Sequence, residues 1–355
     1  MTIQPPVSTK KGARILILEG GDGWLAAEAA GKVPQGEVHS LDRDSRDVQA
    51  AENLLANIPN ASVSVDVLPT TGDWDFVLLT IPKERRFARA LLVAAWEALK
   101  PGGQLLLAGP TGKGAKAVIT DGERLFGNST TLGYRNHQRV ASCIRGDALP
   151  DPLPVEFEQT GIAPGTQYFL NITRPEGILT LETHPGIFSW EALDAGTAML
   201  LDHLKVHPGE HVWDVGCGYG VIGLSAALTG AGFVAMSDVN LIAVDYAKKN
   251  YSRNQFDTQV AIFAADGLNL AHSSPLSDPH FDLIVSNPAF HQRHQVDKSM
   301  ADEMITVAPK LLSPGGRLVL VANRFLNYDR FMREHFQKVT RLAETNKFHV
   351  IEASQ

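Results

Sequence analysis

Hydrophobic positions in this chain fall into short blocks with two alternating periods. ARILIL (13–18), WDFVLLTIP (74–82), HVWDV (211–215) and FDLIVSNP (281–288) are nearly unbroken apolar runs. Runs of that length, bounded by glycine, proline or aspartate, fit strands buried on both faces of a parallel sheet. Between them LAAEAAGK (25–32) and VIGLSAAL (221–228) carry apolar residues at helical spacing. Strands alternating with helices predict an α/β fold, because parallel neighbours need a crossover long enough to hold a helix.

The same order of signals occurs twice. ARILIL, EGGDG, LAAEAAGK and EVHSLD in the first half match HVWDV, GCGYG, VIGLSAAL and FVAMSD in the second. WDFVLLTIP then matches FDLIVSNP, and KPGGQLLLAGP matches SPGGRLVLVAN. The offset between halves grows steadily from Glu19 and Asp214, through Asp42 and Asp238, Asp75 and Asp282, to Lys100 and Ser313, as loop insertions would produce. The expectation is two tandem Rossmann-like domains, each a doubly wound, mostly parallel sheet. Residues 1–150 form the first and 186–355 the second. A linker at 151–185 contains a candidate hairpin, TQYFLNITRPEGILTLET (166–183), among prolines and glycines. A length of 355 residues suits two cores better than one.

A net charge of −7 excludes general coating of nucleic acid, which draws its affinity from many neutralised phosphates. Any contact with RNA must be local. Arg85, Arg86 and Arg89 in KERRFAR, with Arg135 and Arg139 in YRNHQRVASCIR, are candidates, although a solvated surface would carry the same charges. The stretch from Arg317 to Lys347 is also basic, with seven Lys and Arg against three Asp and Glu. No apolar run is long enough to span a bilayer, and MTIQPPVSTKKGARILIL lacks a signal-peptide core, so a cytoplasmic protein is expected. Cys143 and Cys217 are the only cysteines, too few for a disulfide framework or a cysteine-rich zinc site.

Chemistry concentrates in the second half. In HVWDVGCGYGVIGL a buried strand delivers Asp214 to its carboxyl end, where Gly216, Gly218 and Gly220 let backbone approach a ligand. Gly218, Gly220 and Gly223 also satisfy the dinucleotide spacing, so the glycines alone leave a nicotinamide cofactor open. Asp238 ends the next strand, placed to accept hydrogen bonds from ribose hydroxyls. Asp266 ends a third, where it could receive an adenine amine or simply cap a loop. What separates the readings is Asn287, Pro288, Ala289 and Phe290 at the end of FDLIVS. An amine on an aromatic ring is a weak nucleophile, its lone pair being delocalised. An amide oxygen and a backbone carbonyl accepting its two N–H groups would direct that lone pair and stabilise the developing charge. Phe290 would stack on the base, which must leave its helix to enter.

With these motifs in hand, the sequence resembles the class I methyltransferases, and within them the ribosomal RNA guanine-N2 methyltransferases of the RsmC/RlmG type. Besides DVGCGYG and NPAFH, the resemblance rests on THPGIFSWEALDAGTAMLLDHL (183–204), VANRFLNY (321–328) and TNKFHVIEA (345–353), and it extends over nearly the whole chain. It implies S-adenosyl-L-methionine as cofactor. Asp214, Gly216, Gly218 and Asp238 would contact it, Asp266 would meet its adenine, and the segment from His184 to Phe188 would lie near its methionine end. Asn287, Pro288 and Phe290 would hold the target base, with Asn287 also bordering the cofactor. The implied partner is ribosomal RNA or an assembling ribosomal subunit, the small subunit favoured, met by a monomer. Arg293 would contact RNA beside the target.

Ala289 departs from the family, which has a second proline there. The first half departs further, with Thr80-Ile81-Pro82 opposite Asn287-Pro288-Ala289 and Glu19 matched to Asp214, and is expected to be noncatalytic. His291 and His294 lack an evident third ligand, so no metal site is expected. Competing readings are a protein-glutamine or DNA-adenine methyltransferase, a noncatalytic assembly factor and a dehydrogenase, the last giving no use for Asn287.

Overall fold

The computed structural model describes residues 11–65, 72–269, 276, 280–288 and 299–355. The chain divides into two compact units, Met1–Gln167 and Tyr168–Gln355. The first contains β1 (Arg14–Leu18), α1 (Trp24–Lys32), β2 (Glu37–Leu41), α2 (Ser45–Leu55), β3 (Ala61–Ser64), β4 (Trp74–Thr80), α3 (Arg85–Ala98), β5 (Leu99–Pro110), α4 (Ala115–Phe126), β6 (Thr130–Arg135) and β7 (Gln138–Ile144). The second opens with a hairpin, β8 (Tyr168–Arg174) and β9 (Gly177–Thr183). It continues through α5 (Ala195–His203), β10 (His211–Val215), α6 (Val221–Leu228), β11 (Phe233–Asp238), α7 (Leu241–Asn254), β12 (Gln259–Ala264), β13 (Phe281–Ser286), α8 (Ser299–Val307), β14 (Leu312–Asn323), α9 (Tyr328–Met332), β15 (Lys338–Glu344) and β16 (Phe348–Ser354).

Each unit has a seven-stranded sheet of the same order, β3-β2-β1-β4-β5-β7-β6 in the first and β12-β11-β10-β13-β14-β16-β15 in the second. Five strands run parallel, and the next strand, β7 or β16, is antiparallel both to them and to the edge strand beyond it. The repeat reaches single hydrogen bonds. Asp75 accepts from the Arg14 N–H at 2.8 Å, and Asp282 from the His211 N–H at 2.9 Å. Even the register shift before the long strand recurs, between Trp74 and Phe76 and between Phe281 and Leu283.

Parallel strands need apolar side chains on both faces, which accounts for the unbroken runs in the sequence. Ile15, Ile17 and Val38 pack with Ala26, Ala30 and Ala51 in the first unit. In the second, Trp213, Phe281, Ile284 and Leu318 meet Met304 and Ile305 of α8. Trp213 is fully buried, and its Nε1–H donates to Ser237 Oγ at 2.9 Å, so its one polar atom is satisfied inside the core. The hairpin is tied to α7 by two amides. Asn250 accepts from the Glu182 N–H and donates to the Glu182 and Tyr219 carbonyls, while Asn254 makes the corresponding pair with Thr180. One buried side chain, Asn250, thereby links the hairpin to the loop after β10. Among the described residues no helix is long and apolar enough to cross a membrane.

Candidate active site

At the carboxyl end of β10, Gly216, Gly218 and Gly220 have φ of 71°, 55° and 92°, left-handed values that glycine adopts without strain. A Cβ on Gly216 would meet nothing closer than Ser286 Oγ at 4.0 Å, and one on Gly218 nothing closer than Ile187 Cγ2 at 3.8 Å. The two glycines thus keep a lane open along the loop. Gly223 serves packing instead. A Cβ there would lie 2.5 Å from Met236 Cγ, so its absence lets α6 press against β11.

Asp214 is wholly buried. Its Oδ2 accepts from the Gly223 N–H at 2.8 Å, its Oδ1 has no hydrogen-bond partner among the described residues, and burial pushes the carboxyl up to about 7. Asp238 accepts from the N–H groups of Gly218 (2.9 Å) and Asn240 (2.8 Å), which fix its carboxylate at the end of β11. Asn240 caps α7 through its Oδ1, and its Nδ2 donates to the Gly186 carbonyl at 2.8 Å. That bond ties the 184–188 segment to the end of β11. Within the segment Ile187 is buried beside Gly218, Phe188 is 65% exposed, and burial lowers His184 to about 4, leaving its ring neutral near pH 7. Asp266 is exposed just beyond β12, whose last link to β11 is the Ala265 N–H on the Asp238 carbonyl at 3.1 Å.

Asn287 follows β13 at the same edge. Ser286 Oγ donates to the Val215 carbonyl at 2.6 Å, joining the ends of β13 and β10. The Asn287 Nδ2 donates to Asp194 Oδ2 (3.1 Å) and Thr197 Oγ1 (2.7 Å). A carboxylate only accepts, so the Asp194 contact decides which end of the amide is NH2. Nδ2 is held at the start of α5, which leaves Oδ1 as the acceptor end of the amide. Asp194 Oδ2 also accepts from the Thr197 N–H at 3.0 Å, capping α5, so the orienting carboxylate is itself fixed by the helix start. Pro288 is buried. Ala289, Phe290, His291, Arg293 and His294 lie outside the described residues.

The first unit corrects one correspondence. Hydrogen bonds place Gly21 opposite Gly218, since the Gly21 N–H donates to Asp42 Oδ2 as the Gly218 N–H does to Asp238 Oδ2. Ile17 pairs with Ser40 as Asp214 pairs with Met236, each two residues before that aspartate. Ile17 therefore stands at the position of Asp214, and Glu19 at the position of Gly216. The two acidic residues match in sequence because each precedes a glycine cluster, but strand register differs from that match by two residues. Glu19 takes φ 55° where Gly216 takes 71°, and its carboxylate lies 3.4 Å from Arg43 Nε. Burial outweighs Arg43 and pushes the Glu19 carboxyl up to about 8. The shared Asp75 and Asp282 contacts place Thr80 opposite Asn287.

Of the candidate RNA-contacting arginines, Arg85 and Arg89 converge on Asp121, which is fully buried in α4. Their closest contacts are 2.7 and 2.9 Å, clamping α3 to α4. Arg86 and Arg135 are exposed, and the Arg139 guanidinium lies 5.5 Å from the Tyr134 ring centroid in the β6–β7 hairpin. Sequence reasoning missed Asp194, Thr197, Asn240 and Asn250. The one signal present was Asp194 three residues before Thr197 at the start of the helical run AGTAMLL (195–201), a capping pattern that says nothing of Asn287.

A glycine lane at the carboxyl end of β10, an anchored carboxylate at the end of β11 and an Asn-Pro edge on β13 are the parts of a class I methyltransferase fold. The methyltransferase small domain model matches residues 178–352. The ribosomal RNA small subunit methyltransferase C of Pseudomonas aeruginosa (strain LESB58) is 33% identical over 303 residues, covering 84% of this chain and 85% of that protein. The ribosomal RNA large subunit methyltransferase G of Pseudomonas syringae pv. syringae (strain B728a) is 28% identical over 347 residues, covering 96% and 87%. A solved structure of the T. thermophilus 16S rRNA N2 G1207 methyltransferase (RsmC), in complex with AdoMet and guanosine, is 27% identical, with a TM-score of 0.77 over 100% of this chain and 90% of that one. The chain belongs to the ribosomal RNA guanine-N2 methyltransferase family of the RsmC/RlmG type.

Proposed function

We propose that this chain transfers the methyl group of S-adenosyl-L-methionine to the exocyclic N2 of a guanine in ribosomal RNA, small-subunit RNA being favoured, and that catalysis belongs to the C-terminal unit. The observation that carries this reading is the Asn287 amide, its NH2 fixed on Asp194 and Thr197, which reserves its oxygen as an acceptor, one residue after Ser286 at the end of β13.

The residues present suit the cofactor. Asp238 would take the ribose hydroxyls and Asp266 the adenine amine. Gly216 and Gly218 leave the backbone lane unfilled, with Ile187 beside Gly218 and the exposed Phe188 following it. The buried Oδ1 of Asp214 is an acceptor awaiting a donor on that side of β10. When bound, S-adenosylmethionine would supply an electrophilic methyl group, its positively charged sulfur keeping the electron pair of the broken methyl–sulfur bond and leaving as a neutral thioether. Asn287 Oδ1 and the Pro288 carbonyl accept the two N–H groups of the target amine, holding its lone pair on the line of transfer. As the N–C bond forms, the nitrogen becomes positive and both hydrogen bonds strengthen, so the site favours the transition state over the bound amine. One N–H proton is then released to water, because neither acceptor is a strong base. Phe290 stacks on the target base in this reading, and Arg293 meets the adjoining RNA.

The N-terminal unit is a noncatalytic partner that supports the fold and holds RNA through Arg86, Arg135 and Arg139. Arg85 adds to that surface through its exposed portion, and Arg89 serves the Asp121 clamp. Mass-spectrometric mapping of ribosomal RNA from cells with and without the gene tests the substrate. Loss of one N2-methylguanosine from small-subunit RNA is expected. An unchanged map would overturn the assignment, and loss from large-subunit RNA would move the target.

A further inference from the structure

Beside the Asn287 edge, the end of β14 and the β15–β16 turn flank an open, shallow cleft of about 520 Å³, lined by Asn323, Arg324, Phe325, Asn346, Lys347 and Phe348. The Arg324 N–H donates to the Lys347 carbonyl at 2.8 Å, pinning the two loops together. Phe325 is a bare aromatic ring, 66% exposed, on a chain whose large apolar side chains are mostly buried. Arg324 has its Nε on Glu344 at 2.8 Å, yet its side chain is 57% exposed. Lys347 is exposed and makes no ion pair among the described residues. The cleft adjoins the proposed methyl-acceptor site: a Cβ on Gly196 would lie 3.7 Å from Phe348 Cδ1 and 3.0 Å from Asp194 Oδ2, the oxygen that holds Asn287.

We infer that this cleft binds the nucleotide next to the target guanine in the same RNA strand. The inference rests on the function proposed above. An exposed aromatic face offers stacking to any base, two cations offer phosphate contacts, and two amides offer hydrogen bonds to base edges. An apolar peptide would have no use for the cations and amides, and the net charge of −7 leaves phosphate affinity to such local groups. The first unit supplies the contrast. There the Thr111 N–H donates to the His137 carbonyl at 2.8 Å, repeating the loop-pinning bond, but the residue after Thr111 is Gly112 where Phe325 follows Arg324. The backbone frame occurs twice, but the position of Phe325 is glycine in the first unit, whose exposed ring, Tyr134, stands instead in the β6–β7 hairpin with the Arg139 guanidinium over it.

The test uses the full chain and a short single-stranded RNA carrying one guanine with 2-aminopurine as its neighbour. Stacking on Phe325 quenches 2-aminopurine on binding. Phe325→Ala is expected to abolish the quench and weaken the RNA Kd about tenfold. Lys347→Gln is expected to weaken binding by a smaller factor and lower its salt dependence. Both variants should leave the Tm and the S-adenosylmethionine Kd unchanged. In steady state, Phe325→Ala should raise the RNA KM with little change in kcat. An unchanged Kd and quench in Phe325→Ala would overturn the inference. Asn287→Ala separates the two proposals: it should remove turnover while leaving the quench intact, and a quench without Asn287-dependent turnover would sink the catalytic reading and leave the cleft standing.

Discussion

The two units set the same backbone to different chemistry. In both, a strand ends in a glycine loop, the next strand ends in an aspartate that accepts one loop N–H and the N–H two residues further on, and a third strand ends at the same edge. At that common edge the first unit has Ile17, Glu19, Leu79 and Thr80 where the second has Asp214, Gly216, Ser286 and Asn287. A strand order can therefore be kept to single hydrogen bonds while the lane and the amide that would serve methyl transfer are absent. Fold locates an edge, and the side chains on it decide what the edge does.

The strongest way to break the comparison is to give the proposed catalytic edge the other unit's residue. Asn287→Thr replaces the amide oxygen with a hydroxyl too short to reach the same point. Single-turnover methylation is expected to slow by about a hundredfold or more, the usual cost of losing one aligned charge-stabilising group. Calorimetric binding of S-adenosylmethionine should change less than about threefold, since the glycine lane is untouched. A variant that methylates at the wild-type rate removes Asn287 from the mechanism.

Gly216→Glu performs the exchange on the cofactor side. A glutamate there fills the lane that Gly216 leaves open, and a non-glycine residue at φ 71° adds about 1–2 kcal/mol of backbone strain. Cofactor affinity is expected to fall by about a hundredfold, which corresponds to about 3 kcal/mol of lost contact. Titration calorimetry checks it against the Tm, which separates lost binding from lost folding. Undiminished affinity would show that Glu19 is not what closes the first unit's loop.

Much of this was legible in the sequence because parallel sheets write themselves as apolar runs. The strands, the repeated order, Asp238 and Asn287 all follow from residues that lie at strand ends. Register was harder. Glu19 and Asp214 look equivalent when aligned by their glycines, and only the pairing of Ile17 with Ser40 and of Asp214 with Met236 separates them. Asp194 was not legible as a partner of Asn287, because the contact joins residues 93 apart and a helix-capping aspartate carries no mark of a second role. Nor could charge alone distinguish Arg89, committed to buried Asp121, from Arg135, which is exposed.

A finer test concerns what holds the amide rather than the amide itself. Asp194→Asn retains a good helix cap but lets two amides face each other, so the Asn287 NH2 is no longer obliged to face position 194. About a tenfold loss in kcat is expected, with cofactor Kd unchanged. Asn287→Asp alone sets two carboxylates in contact and should be worse. Combining it with Asp194→Asn restores a donor facing a carboxylate and again reserves an oxygen as acceptor, so the double variant should recover above Asn287→Asp. No recovery in that cycle would reduce Asp194 to a cap.

The smallest effect follows from the fully buried Asp214 and the partly buried Glu19, which lie two positions apart in the shared register and are both pushed up by desolvation, Glu19 to about 8 and Asp214 to about 7. A carboxyl whose folded pKa is raised binds its proton more tightly folded than unfolded. Its contribution to stability is fully present below the unfolded value near 4 and is lost as pH rises through 7 to 8. Each unit should therefore weaken across that window, the first mainly through Glu19 and the second mainly through Asp214. Hydrogen exchange, corrected for intrinsic rate, follows β1 and β10 separately in the intact chain. Glu19→Gln should flatten the pH dependence of β1 protection and leave that of β10 alone, whereas Asp214→Asn should do the reverse. If Glu19→Gln leaves the slope at β1 intact, the acid does not carry its proton in the folded loop. The first unit would then keep a charged carboxylate paired with Arg43 at the place where the second keeps its lane open.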